Sequence, residues 1–191
     1  MKADGIAVFD TALGTCGVAW NTHGLCASQL PEGDAAALRA RLQRRLPGTP
    51  EVEPPDWVQR LIDALVSQFH GIAVDLSQVP LDLRDVPDLD RRVYDIVRHI
   101  PCGATLSYGQ IAERLGDRQL ARAVGRALGR NPFAPVVPCH RVLAAGGRPG
   151  GFSAHGGLRT KLQLLVIEGT SPGGEPDLFA TPGRAERDNA Q

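Results

Sequence analysis

The first thirty residues of this chain hold short apolar runs parted by turn residues, and from Asp34 onward the apolar residues recur with helical spacing. That single change of pattern limits the fold to one small sheet followed by helices. Residues 6–9, 16–20 and 25–30 read as strands, separated by Gly14 and by the turn from Asn21 to Gly24, so the sheet is a β-hairpin or meander. Leu38, Leu42 and Leu46 lie four apart with Arg39, Arg41, Arg44 and Arg45 beside them, an amphipathic helix ended by Pro47 and Gly48. Pro54 and Pro55 precede Asp56, read as the cap of a second helix that carries Trp57, Val58, Leu61, Ile62, Leu65, Val66 and Phe69 to a stop at Gly71. An extended piece over 73–83 leads to Pro87 and a domain boundary. The fold class expected is α+β: an N-terminal α/β module over 1–86, a mostly helical domain over 87–170, and a Pro-, Gly- and acid-rich tail over 171–191 that reads as disordered.

A length of 191 residues with 42% hydrophobic content suits one or two small globular units. No apolar run approaches the ~20 residues of a membrane span. The first ten residues lack a basic segment followed by a long apolar one, so a cytoplasmic chain without a secretory signal is expected. The formal net charge is zero, but residues 1–90 carry −6, residues 91–170 carry +8 and residues 171–191 carry −2. Such asymmetry points to an anionic partner for the middle segment, solvated Arg on helix faces being the alternative. Nineteen of the 21 basic residues are Arg, which serves phosphate and stacking contacts better than Lys.

In the second half, Asp90 reads as the cap of a helix that turns Val93, Ile96, Val97 and Ile100 inward before Pro101 and Gly103 stop it. Ser107 caps a short helix with Ile111, Ala112 and Leu115; Gly116 ends it and Asp117 caps the next. This is the spacing of a helix-turn-helix, or of an ordinary helical hairpin. On the second of these helices Leu120, Ala123, Val124, Ala127 and Leu128 form the buried stripe, and Arg118, Arg122 and Arg126 recur every four residues as a basic face. Ala121, Gly125 and Gly129 recur at the same interval as a nearly bare face. Two Gly in a helix cost about 1 kcal/mol each relative to Ala, so something must approach that backbone closely. A packed helix and a nucleic-acid groove both qualify; the adjacent arginines favour the groove.

The chemistry concentrates further on, where Asn131 and Pro132 are followed by Pro135, Pro138, Cys139, His140, Arg141 and Val142. Neighbouring side chains on a strand diverge, but the prolines make a turn, and a turn lets the Cys and His share one pocket. A thiol is a few per cent thiolate at neutral pH, and a nearby His base or positive environment activates it. Asn131 is suited to tie the turn down. The loop over 146–157 holds six Gly with Phe152, Ser153 and His155 but lacks the Lys and Ser/Thr ending of a phosphate-binding loop. The last helix, from Leu158, ends at Glu168 and Gly169; a negative charge there opposes the helix dipole by ~0.3–1 kcal/mol and calls for a partner such as a His. Cys16, Cys26, Cys102 and Cys139 form no CxxC, and Cys16, His23 and Cys26 lack an evident fourth ligand, so no metal is expected.

The run from Pro138 to Val142, with Asn131 and Pro132 before it and Arg122, Ala123, Val124 and Gly125 upstream, resembles the O6-alkylguanine-DNA alkyltransferases. Ile100, Pro101, Gly103, Ser107, Tyr108, Gly109, Lys161, Leu164, Leu165, Glu168 and Gly169 extend the likeness, which is close over about residues 76–169. The resemblance implies an RNase H-like N-terminal module and a winged helix-turn-helix-like C-terminal domain. It implies Cys139 as the nucleophile that takes the alkyl group irreversibly in a single turnover, His140 oriented by Glu168 as proton acceptor through a water, Asn131 as brace, and Tyr108 as donor to the leaving guanine. Ser153, Val142, Phe152, Gly151 and Lys161 would line the substrate pocket. Arg122 would replace the flipped nucleotide in the stack. Ala121, Gly125, Arg118, Arg126 and Arg130 would meet the DNA, the helix entering the minor groove. The partner implied is double-stranded DNA containing O6-alkylguanine, possible O4-methylthymine included, acted on by a monomer without cofactor, metal or membrane. Three departures stand out: the stretch from Phe152 to Lys161 is two residues longer than the common pattern through Ala154 and His155, Phe152 stands where Tyr is frequent, and Leu89 and Asp90 replace Phe and Gln. Alternatives are a non-catalytic lesion-recognition protein, which would replace the nucleophile that is intact here, an alkylation-responsive regulator, and a Cys/His hydrolase.

Overall fold

The computed structural model describes residues 2–170; the tail expected over 171–191 lies outside the described residues. The sheet forms from those three apolar runs, with β1 (Gly5–Thr11), β2 (Gly14–Asn21) and β3 (Gly24–Gln29) antiparallel in chain order. Gly14 and Gly24 take φ of +118° and +135° at the two turns, a region that costs an L side chain strain. Helix α1 (Ala35–Arg45) lays Leu38 and Leu42 against Ile6, Ala19 and Ala27 on one face of the sheet. Helix α2 (Asp56–Phe69) lays Val58, Leu61 and Leu65 against Ala7, Val18 and Trp20 on the other. A sheet covered on both faces is apolar on both, which is why β3 is buried along its whole length.

Asp34 caps α1 by accepting from the Ala37 amide at 2.8 Å. Asp56 is not a cap: Pro55 holds that position and Asp56 opens the helix, where a carboxylate suits the positive end of the dipole. The same correction applies to α3 (Asp88–Arg98), which starts after Pro87, so that Asp90 sits inside its first turn with a buried carboxylate paired to Arg130 at 2.9 Å. Residues 73–83 are irregular apart from a turn over 77–79 and one bridge from Leu81 to Leu25, and hold no strand.

Ser107 and Gln110 make a reciprocal capping box at the start of α4 (Tyr108–Arg114). Asp117 caps a 3₁₀ turn, Arg118–Leu120, and α5 (Ala121–Gly129) follows without a side-chain cap. Arg118 is therefore off the α-helix that carries Arg122 and Arg126, and pairs with Glu113 at 2.7 Å. A second 3₁₀ turn, Cys139–Arg141, leads into β5 (Val142–Leu143), which pairs in parallel with β4 (Leu106–Ser107). Helix α6 (Leu158–Ile167) closes the described chain, with Glu168 at its C-cap and Gly169 at φ +74°.

The largest apolar cluster joins Trp20, Leu25, Val58 and Leu61 to Val93, Tyr94, Val124 and Val142, continuing across Pro87. Among the described residues no helix is long and apolar enough to cross a membrane.

Candidate active site

Cys139 opens the 3₁₀ turn and is 7% exposed. The turn is tied from both sides: Asn131 donates through Nδ2 to the Val137 carbonyl at 2.8 Å and accepts from the Phe133 amide at 3.0 Å. Burial pushes the Cys139 thiol up, while the Asn131 side chain, the Lys161 charge and the amides of Cys139 and His140 pull the other way. Those opposing groups favour the thiolate once a base removes the proton.

The next residue of the turn is an imidazole. His140 is fully buried, and its Nε2 lies 3.0 Å from Glu168 Oε1. Burial lowers the imidazole pKa more than Glu168 raises it, so the ring is neutral near pH 7. A neutral ring that donates Nε2–H to a carboxylate leaves Nδ1 as an acceptor, and Nδ1 is buried without a partner. Burial works to raise the Glu168 carboxyl, yet the bonds from His140 and Arg141 outweigh it and hold it at about 2. Arg141 donates Nε to Oε2 at 2.9 Å and an Nη to Oε1 at 2.7 Å, and Gln68 from α2 adds Nε2 to Oε1 at 2.9 Å. Arg141 also bonds the Ile100 carbonyl.

Tyr108 faces this turn because β4 and β5 pair Ser107 with Leu143. Burial, then the nearby Cys139, pushes the phenol up, which keeps it a proton donor. A Cβ at Gly150 would come within 3.3–3.4 Å of the Tyr108 ring and hydroxyl, and Gly150 has φ +65°, so this glycine lets the loop close over the tyrosine. Tyr108, Gly125, Cys139, Gly151, Phe152 and Ser153 line a cavity of about 440 Å³. That volume falls within the usual size for a small-ligand pocket.

The glycines of α5 need no neighbour within the chain. A Cβ at Gly125 would touch the Tyr108 ring at an ordinary 3.8 Å, and one at Gly129 would meet nothing within 4 Å. Among the described residues only the Tyr108 ring at the start of α4 approaches this face, and it leaves room for a Cβ at both glycines. Arg122 and Arg126 are exposed on α5. Arg130 is held by Asp90, and Ala121 is partly buried against the main cluster. Val142 turns its side chain into the core, and Lys161 lies wholly buried behind it, its Nζ donating to the Val142 carbonyl at 2.6 Å. Lys161 thus supports the turn and does not line the cavity; burial brings its pKa down to about 8.

Sequence reasoning passed over Arg141, Gln68 and Gly150. Arg141 carried a signal, a cation directly beside the His of the cysteine motif. The other two are visible only in three dimensions. Cys16 and Cys26 are buried with thiols pushed up to about 12, and Cys102 is partly exposed. No group of three or more His, Cys, Asp or Glu among the described residues is arranged to hold a metal ion.

A helix-turn-helix set against a buried cysteine, with a neutral imidazole and its carboxylate behind, defines a nucleophilic group-transfer protein. Residues 88–170 match the family model described as 6-O-methylguanine DNA methyltransferase, DNA binding domain. The methylated-DNA–protein-cysteine methyltransferase of Methanothermobacter thermautotrophicus is 35% identical over 159 residues, which cover 83% of this chain and 82% of that protein. The Mycolicibacterium paratuberculosis protein of the same name is 45% identical over 116 residues, 61% of this chain and 68% of its own. The solved structure of Mycobacterium tuberculosis OGT in complex with DNA is similar at a TM-score of 0.69 and 34% identity, covering 85% of this chain and 91% of that one. The chain belongs to the methylated-DNA–protein-cysteine methyltransferases, enzymes that repair DNA by alkyl transfer.

Proposed function

We propose that the protein flips O6-alkylguanine, chiefly O6-methylguanine, out of duplex DNA and transfers the alkyl group irreversibly to Cys139, once per molecule and as a monomer. His140 Nδ1 takes the thiol proton through a water. The Cys139 sulfur attacks the alkyl carbon, the carbon–O6 bond breaks as the carbon–sulfur bond forms, Tyr108 protonates the guanine ring as negative charge builds on it, and the proton His140 took returns to the Tyr108 oxygen. The unpartnered, buried Nδ1 of a neutral His140, with Glu168 on its other nitrogen, is the observation that carries this reading. Arg122 fills the vacated position in the stack, and the bare face of α5 admits the minor-groove wall. Arg126, with Arg118 and Arg130 once released from Glu113 and Asp90, supplies phosphate contacts that give affinity without sequence preference.

The test is the mass of the intact protein after incubation with a duplex carrying O6-methylguanine, with no metal or cofactor added. One methyl per molecule on Cys139 is expected, and none on Cys139→Ser. Multiple turnovers, or methyl on another cysteine, would sink the mechanism.

A further inference from the structure

A second cavity, of about 410 Å³, opens onto Cys139 from the side of the sheet, with Ser153 also on its wall. Arg41, Arg44 and Arg45 of α1 and Arg130 at the end of α5 line it, and no Asp or Glu does. Arg41 is neutralised by Glu32 at 3.0 Å and Arg130 by Asp90 at 2.9 Å. Arg44 and Arg45 have no hydrogen-bond or ion-pair partner among the described residues. Arg41, Arg44 and Arg45 all stand exposed at the rim, and burial of part of the Arg45 side chain, followed by the charge of Arg41, lowers its pKa. Like charges gathered at one rim repel one another, and an anion that meets them relieves the repulsion. Independently, Ser28, a residue 5% exposed, lines the same cavity, and its hydroxyl is buried with no hydrogen-bond partner among the described residues. Buried polar groups are nearly always satisfied, so an unsatisfied one on a cavity wall marks a ligand position.

We propose that this cleft seats a phosphodiester group of the bound DNA strand, with Arg44, Arg45 and Ser28 as its donors. The assignment rests on the DNA reading above. A set of donors without an acceptor carboxylate matches the oxygens of a phosphate, and guanidinium forks fit them best. The backbone is the source favoured because this cavity shares Gly129, Cys139, Phe152 and Ser153 with the cavity beneath α5, so an occupant lies beside the nucleotide at Cys139. It also explains the sequence of α1, whose Arg39, Arg41, Arg44 and Arg45 are four of the seven basic residues in an otherwise acidic segment over 1–90.

The experiment measures duplex binding over a range of salt concentrations for the full chain, for Arg44→Gln/Arg45→Gln and for Ser28→Ala. Leu38 and Leu42 hold α1 to the sheet and are untouched, and a thermal midpoint confirms that each variant is folded. Losing one phosphate contact lowers the slope of log affinity against log salt by about 0.9, and the double variant is expected to show that drop with roughly tenfold weaker binding at moderate salt. Ser28→Ala is expected to weaken binding a few-fold with the slope kept. If the unaltered chain shows no salt-dependent binding, the DNA reading itself fails. If it binds and the double variant keeps its slope and affinity, this site alone is overturned. Inorganic phosphate that stabilises the unaltered chain at matched ionic strength, with the DNA slope unmoved in the double variant, assigns the cleft to free phosphate and overturns the DNA assignment.

Discussion

Glu168 is where the chemistry of single residues converges, because one buried carboxylate accepts from His140, Arg141 and Gln68. Its pKa of about 2 against an ordinary 4.5 means that folding favours the charged form. The stability this confers is fully present above pH 4.5 and is lost as the pH falls toward 2. Glu168→Gln would leave the Arg141 guanidinium buried without its counter-charge, and breaking such a pair costs about 3–5 kcal/mol, read as a lower urea midpoint. His140 sets a second expectation. Its pKa lies below 6.5, so the ring stays a free base as the pH drops through that value. Alkyl transfer at saturating DNA should therefore hold its rate down to pH 6.5 and decline only below it. An acid limb centred above 6.5 would mean that a charged imidazole is the resting state and that Nδ1 is no base.

At the scale of elements, α5 sacrifices helix stability for an open face. Gly129 has nothing within 4 Å of where a Cβ would lie and no positive φ, so Gly129→Ala should raise stability by about 0.5–1 kcal/mol. The same methyl would stand in the path of the groove wall, and repair in duplex should slow. Arg122→Ala should slow duplex repair far more than transfer from a free alkylguanine; equal losses would remove the stack-filling role. The elements were legible in the sequence where the signal is local. Asp34, Ser107 with Gln110, and the leucines of α1 announce their helices within a few residues. Asp90 misled because an acid three positions into a helix looks like a cap until a distant cation claims it, here Arg130, forty residues away. The parallel pair of β4 and β5 was out of reach for a different reason. Two residues carry no periodicity, and their partners stand 36 positions apart. Yet that pair is what brings Tyr108 to Cys139, so the site was readable as a set of residues and not as an arrangement.

For the whole molecule, the charge division along the chain suggested that everything facing DNA belongs to residues 91–170, and the packing argues for a more joined structure. The Ser28 amide donates to the Pro132 carbonyl at 2.9 Å, which fixes the edge of the sheet beside Asn131 and the turn it braces. Gln68 reaches the site carboxylate from α2. Trp20 and Val58 share one apolar cluster with Val93, Tyr94 and Val142. A core common to both halves predicts one cooperative transition in urea. The test uses two reporters from opposite halves. Both tryptophans, Trp20 and Trp57, lie in the first 86 residues, and Cys139 lies in the second half. Tryptophan fluorescence and alkylation of Cys139 by iodoacetamide, located by mass spectrometry, should give the same midpoint. Alkylation of Cys139 at urea concentrations that leave the fluorescence unchanged would show that the site opens while the sheet stays folded, and the shared core would not be what holds the turn in place.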